Sequence, residues 1–196
     1  MATHKRAWLQ PAVLVGSIVP IVVIAIRGLN GRLGANPIDT ALNQLGLLAL
    51  IFLVASLACT PAKIVFGWKW PLKLRKTLGL LGFFTGVAHF LVYLVLDQGV
   101  RIAAVLEDVA LRPFLLVGFL TLGLLVPLAR TSTKEALQRM GAKSWRRLHR
   151  LAYVCALLGC LHYLLRVKQD LREPLLYTAA VLLLLGVRVV HALRAR

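Results

Sequence analysis

Long apolar runs separated by short polar stretches, most of them basic, extend along the whole chain. A window of about 19 residues finds six such runs, near 8–26, 42–59, 78–96, 113–129, 149–165 and 175–191. Each approaches the roughly 20 residues that, at about 1.5 Å per residue, cross about 30 Å of hydrocarbon, with flanking interfacial residues completing the shorter ones. The pattern therefore predicts an all-α, polytopic membrane protein of six transmembrane helices, a single transmembrane domain over residues 1–196 with no sizeable soluble domain. The first run follows Lys5 and Arg6 in the manner of a signal sequence. It is long, however, and leads into Arg27-Gly28-Leu29-Asn30 without a small-x-small cleavage site, so it is expected to be a retained helix. Pro11 and Pro20 should kink it or mark its ends.

Composition agrees with lipid as the solvent. Hydrophobic residues make up 59% of the chain and mean hydropathy is +0.79, against roughly 45–50% apolar usage in soluble domains. A net charge of +17 would suit nucleic acid, but the basic residues fall between apolar runs and form no aromatic-interleaved surface, so a nucleic-acid partner is excluded. Their distribution instead carries topology. The N-terminus (Lys5, Arg6), the second loop (Lys63, Lys69, Lys73, Arg75, Lys76), the fourth loop and its flank (Arg130, Lys134, Arg139, Lys143, Arg146, Arg147, Arg150) and the C-terminal end (Arg188, Arg194, Arg196) hold most of the 24 Lys and Arg. The intervening loops hold every acid except Glu135. By the positive-inside rule both termini should be cytoplasmic. Cys59, Cys155 and Cys160 lie in or at the edge of apolar runs and read as small packing residues. The loops contain no Walker loop, dinucleotide fingerprint, zinc-ligand cluster or nucleophile elbow.

An ionisable side chain inside a span is costly, which makes a function its default reading. Three histidines meet that description: His89 in the third span, and His149 and His162 at the two ends of the fifth. His4 and His191 lie at the chain ends, where solvation accounts for them. Counting from the basic end of each span, His89 lies roughly 21 Å along its helix from Arg75 and His162 roughly 20 Å from His149. Two imidazoles at one depth on two helices can occupy both axial positions of a haem iron. Helical face points the same way. Arg75, Gly79, Gly82, Gly86 and His89 recur at intervals of four, three, four and three, and Ala152, Cys155, Gly159 and His162 form a second small-residue stripe. Close helix packing of the small-xxx-small kind would also explain the glycines, and a flat macrocycle between helices needs the same clearance. A histidine closing both stripes at equal depth favours haem.

His149 stands apart. On an ideal helix it is turned about 140° from His162, no histidine faces it from the third span, and Arg75 and Lys76 lie at its depth. Two readings stand for it: a ligand of a second haem with an unusual partner, or a snorkelling imidazole at the membrane edge. The segment from Arg130 to His149 reads as a short helix lying on the membrane. Its basic residues serve topology or, alternatively, a flavin phosphate or an acidic partner protein, and Trp145 reads as an interfacial anchor.

The stretches Lys73-Leu-Arg-Lys-Thr-Leu-Gly-Leu80, Ala88-His89, Thr131-Ser-Thr133, Trp145-Arg-Arg-Leu-His149 with Tyr153, and Leu161-His162-Tyr163, together with the early Leu33-Gly-Ala-Asn-Pro37, resemble the MsrQ (formerly YedZ) family. These are haem-binding subunits of the bacterial periplasmic methionine-sulfoxide reductase system, within the ferric-reductase-like transmembrane superfamily. The resemblance covers nearly the whole chain. It implies one or two b-type haems on His89, His162 and His149, with His89 and His162 as axial ligands and Arg75 and Lys76 as neighbours of an inner site, and an associated flavin mononucleotide (FMN). It further implies a bacterial inner-membrane location and an electron path from the quinone pool to a periplasmic molybdopterin-containing catalytic subunit (MsrP-like), which reduces methionine sulfoxide in oxidised proteins. Related oxidases carry four histidines in two pairs, whereas the third span here supplies only His89. They also carry a fused flavin and nicotinamide domain after the last span, so here the donor should be a quinol or a separate protein such as a cytoplasmic flavin reductase.

Two other functions compete with this electron-carrier reading, in which the catalytic chemistry sits in a partner. One is a stand-alone membrane ferric or cupric reductase. The other is a small transporter or structural subunit, against which the spans lack the paired carboxylates and broken midplane helices that often build transport sites.

Overall fold

The computed structural model describes residues 8–194, so His4, Lys5, Arg6 and Arg196 lie outside the described residues. Helices α1 (Leu9–Leu29), α2 (Pro37–Phe66) and α3 (Arg75–Leu91, continuing as a π-helical turn over Val92–Asp97) come first. They are followed by α4 (Ile102–Leu111), α5 (Pro113–Arg130), α6 (Lys134–His149), α7 (Leu151–Arg166) and α8 (Arg172–Arg194). Among the described residues, six helical stretches are long and apolar enough to cross a membrane, and they correspond one to one with the six apolar runs. The chain is an all-α, multi-pass membrane protein, and no strand occurs among the described residues.

Local chemistry explains most boundaries. Pro37 and Pro113 open α2 and α5 at a position where the missing N–H costs nothing. Gly67, with φ of 71°, closes α2 in the left-handed conformation, its N–H reaching the Lys63 carbonyl at 3.1 Å. Thr133 caps α6 by accepting from the Ala136 N–H at 3.1 Å. Pro11 falls in the first turn of α1 and Pro20 inside it, without ending the helix.

Helix α2 is the hub, packing most extensively on α3 and also touching α1, α7 and α8. The second intimate pair is α5 with α7. One core, Leu50 and Leu57 of α2, Ala156 and Cys160 of α7 and Val181 of α8, joins those three helices. A smaller one, Tyr93, Val105 and Leu115, closes the end carrying Asp97 and Asp108. Much of the remaining apolar surface faces outward, as on α1 and α8 (Val15 64% exposed, Leu183 70%), the inverse of a water-soluble bundle. Cys59, Cys155 and Cys160 are free and buried, as packing residues should be.

Three features were not legible in the run pattern. A short helix, α4, lies between the third and fourth spans; its Asp108 is buried and bound by Tyr93 Oη at 3.1 Å, Gln98 Nε2 at 3.3 Å and Arg112 Nε at 2.9 Å. The surface helix α6 is broken at Gly141, whose φ of 72° and ψ of 152° lie outside the helical region. Arg188, counted above among the topology charges, sits within α8 and turns inward. Its Nη2 donates to the Leu57 carbonyl at 2.6 Å and its Nη1 to Tyr153 Oη at 3.0 Å. The Leu57 carbonyl needs that donor because the residue four positions on is Pro61, which has no N–H.

Candidate cofactor site

Among the described residues, a cavity opens between the helices toward each end of the bundle. The first, about 790 Å³, is lined by Gly46, Gly82, Gly86, His89, Gly118, Gly159 and His162 among others, with Asp39, Asp97, Arg112, Arg166 and Lys168 near its mouth. Its volume falls within the roughly 300–1,000 Å³ usual for small-molecule and cofactor sites. The equal depth expected of His89 and His162 is met: the rings face each other with centroids 6.2 Å apart and planes at 89°.

Both imidazoles are held by one ring nitrogen. Nδ1 of His89 lies 2.9 Å from the Leu42 carbonyl of α2, and Nδ1 of His162 lies 2.7 Å from the Phe114 carbonyl of α5. A carbonyl only accepts, so in each case Nδ1 carries the proton and Nε2 keeps its lone pair. That is the tautomer a metal-ligating histidine takes when its outer nitrogen is tied to a backbone carbonyl. Arg166, one turn beyond His162, reaches across to Asp39 and Asn43 of α2 and clasps α7 to α2 at the cavity mouth.

Residues absent from the sequence reading complete this arrangement. A Cβ at Gly46 would stand 3.2 Å from Nδ1 and Cε1 of His89, and one at Gly118 would stand 2.9 Å from the same atoms of His162. The stripe on α3 divides between packing and cavity lining. Gly82 is a packing glycine, since a Cβ there would meet the Leu53 side chain at 2.8 Å, whereas Gly86 has only ordinary contact with Leu122 at 3.7 Å and leaves room in the cavity.

The second cavity, about 710 Å³, lies toward the basic end and brings together Arg75, Lys76, Gly79, Lys134, Arg146, His149, Arg150, Tyr153 and Arg188. Arg75, Lys76 and His149 therefore share a site, as their depth suggested, and no carboxylate is among its lining residues. His149 is held differently from the other pair. Thr131 Oγ1 gives its proton to the Pro127 carbonyl at 2.6 Å, so His149 Nε2, 3.0 Å away, donates to Thr131. Its ring stacks on Trp145 with centroids 3.8 Å apart and planes at 20°. Trp145 is half-buried and its Nε1 donates to the Thr131 carbonyl at 2.8 Å, which makes it a wall of the cavity. His191 is exposed near the end of α8 and lines neither cavity.

Comparison with known proteins agrees with this architecture. The family described as "Ferric reductase like transmembrane component" matches residues 40–160, the stretch containing His89 and His149 and ending two residues before His162. Curated relatives that carry the name "Protein-methionine-sulfoxide reductase heme-binding subunit MsrQ" include the following three. The one from Rhodospirillum rubrum is 48% identical over 94% of this chain and 89% of its own length. That from Deinococcus radiodurans is 48% identical over 87% and 84%, and that from Ralstonia nicotianae 40% identical over 91% and 83%. With the family match and these relatives spanning nearly its whole length, the chain belongs to the MsrQ family of ferric-reductase-like transmembrane proteins.

Proposed function

We propose that this protein is the haem b electron-transfer subunit of a methionine-sulfoxide reductase system, with His89 and His162 as the two axial ligands of one haem. The observation that carries the reading is the facing pair itself. With metal–nitrogen bonds of about 2 Å and about 1.1 Å more to each ring centre, imidazoles on opposite sides of one iron have centroids about 6.2 Å apart; those of His89 and His162 are 6.2 Å apart. Both Nε2 lone pairs are free and both Nδ1–H groups are anchored. No group of three or more His, Cys, Asp or Glu side chains suited to a metal ion occurs among the described residues. Two nitrogens are what iron in a macrocycle requires. Haem would supply a one-electron centre at this depth, while the protein orients the ligands, surrounds the ring with apolar walls and sets its field.

The basic cavity is the second cofactor site in this reading, and it fits FMN. Six cationic side chains answer a phosphate, and the stacked Trp145 and His149 offer a flat aromatic wall. A second haem held by Nε2 of His149 would first require that nitrogen to leave Thr131. By charge asymmetry the basic end faces the cytoplasm of a bacterium, both termini are cytoplasmic, and the His89–His162 site lies toward the periplasm. The whole chain, residues 1–196, acts as one domain. Electrons enter from quinol, or through flavin served by a cytoplasmic flavin reductase, and leave to a periplasmic molybdopterin-containing MsrP-like subunit that performs the sulfoxide chemistry. The test compares electron transfer from the reduced protein to ferric chelates with transfer to a co-expressed molybdoenzyme. Transfer should be faster to the molybdoenzyme; faster transfer to the chelate would make the protein a metal reductase instead.

A further inference from the structure

We propose that Gly46 and Gly118 are positioning residues: each, with the backbone carbonyl one turn before it, seats one ligand histidine so that the two imidazole planes stand perpendicular across the iron. The inference rests on the haem assignment to His89 and His162 and goes beyond it by specifying how the ligands are oriented and what that does to the iron.

The same unit occurs twice. Leu42 and Gly46 on α2 receive His89 from α3; Phe114 and Gly118 on α5 receive His162 from α7. Carbonyl and histidine are separated by 47 residues in the first case and 48 in the second. The helix hairpins concerned, α2 with α3 and α5 with α7, are the two most closely packed pairs of the bundle.

The chemistry follows from helix geometry. The carbonyl of residue i points toward residue i+4, whose N–H it accepts, and its second lone pair is open only from the side. The Cβ of residue i+4 normally crowds that approach. With glycine at i+4 an imidazole can lie against the backbone and donate Nδ1–H to the carbonyl. A methyl group at Gly118 would enter the His162 ring at 2.9 Å and one at Gly46 would press on His89 at 3.2 Å, so either change must tilt or withdraw the ring. Once seated, each plane is fixed by its own hairpin, and the two planes meet at 89°.

Orientation has an electronic consequence. Parallel axial imidazoles split the two iron orbitals of π symmetry, whereas perpendicular ones leave them nearly degenerate, and the retained orbital momentum gives a low-spin ferric signal with one very large g component. The Nδ1–H bond to a carbonyl also strengthens the imidazole as a donor, favouring ferric over ferrous iron and lowering the reduction potential.

The experiment is electron paramagnetic resonance and redox potentiometry on the full-length, haem-loaded protein in detergent, comparing wild type with Gly46→Ala, Gly118→Ala and Gly123→Ala. Gly123 is the control, because a Cβ there meets nothing within 4 Å. The expected wild-type signal is a single broad low-field feature at large g. Gly118→Ala should lower that g value and raise the potential, Gly46→Ala should do the same to a smaller extent, and Gly123→Ala should do neither. If Gly118→Ala does not retain haem, the milder Gly46→Ala and the wild-type spectrum decide. A wild-type spectrum of the ordinary rhombic kind given by near-parallel planes would overturn the inference while leaving the haem assignment standing. So would haem-loaded Gly46→Ala and Gly118→Ala with wild-type g values and potential. A wild-type preparation without low-spin haem would remove the assignment itself and the inference with it.

Discussion

An imidazole surrounded by hydrocarbon costs enough that its place in the chain is itself information, and that is why His89 and His162 can be singled out by counting residues along apolar runs. Gly46 and Gly118 cannot be found that way. Glycine is common in membrane helices, and neither residue lies on the histidine-bearing spans; the available signal is a glycine lying 43 or 44 residues before each histidine of the pair. Trp145 and Arg188 show the matching limit for charge and aromaticity. Their heights in the membrane follow from sequence, but the helix face that turns them into the basic cavity follows only from packing. If FMN occupies that cavity, the double change Arg75→Gln with Lys76→Gln should reduce flavin released per chain on denaturation by about tenfold, the order expected for losing charge-assisted phosphate contacts. Haem content should be unchanged. His149→Ala should likewise spare the His89–His162 haem, which a ratio of haem to protein will show.

At the scale of elements, the apolar runs locate every span but not its full extent. Helix α2 is 30 residues long where the run covers only its middle, because Pro37 starts it and Gly67 stops it outside the apolar stretch. Helix α4 escapes a window tuned to membrane thickness because it has only 10 residues and is amphipathic, with Asp108 inward and Leu106 and Leu111 outward. Pro61 and Arg188 illustrate a defect in one helix repaired by another. Arg188→Ala leaves the Leu57 carbonyl without a donor and should cost about 1–3 kcal/mol. Adding Pro61→Ala restores an N–H to that carbonyl, so Arg188→Ala should be about 1 kcal/mol milder in the Pro61→Ala background. Reversible unfolding of the four proteins in mixed micelles measures the coupling.

For the whole molecule, two closely packed helix pairs, α2 with α3 and α5 with α7, each carry one histidine of the facing pair and meet over a shared cavity at one end, while a cation-lined cavity occupies the other. Charge asymmetry between the ends predicts how the bundle sits in the membrane. Alkaline phosphatase fused after Asn30, Gln98 or Lys168 should be active, and fluorescent protein fused after Trp68 or at the C-terminus should fluoresce. The reverse pattern would place the histidine pair on the cytoplasmic side. The central claim is that His89 and His162 together hold one haem b, and the absorption spectrum of the purified protein before and after dithionite tests it most directly. A reduced b-type spectrum is expected in wild type, abolished by either His89→Ala or His162→Ala; a colourless wild type, or full haem absorption in both variants, would contradict it.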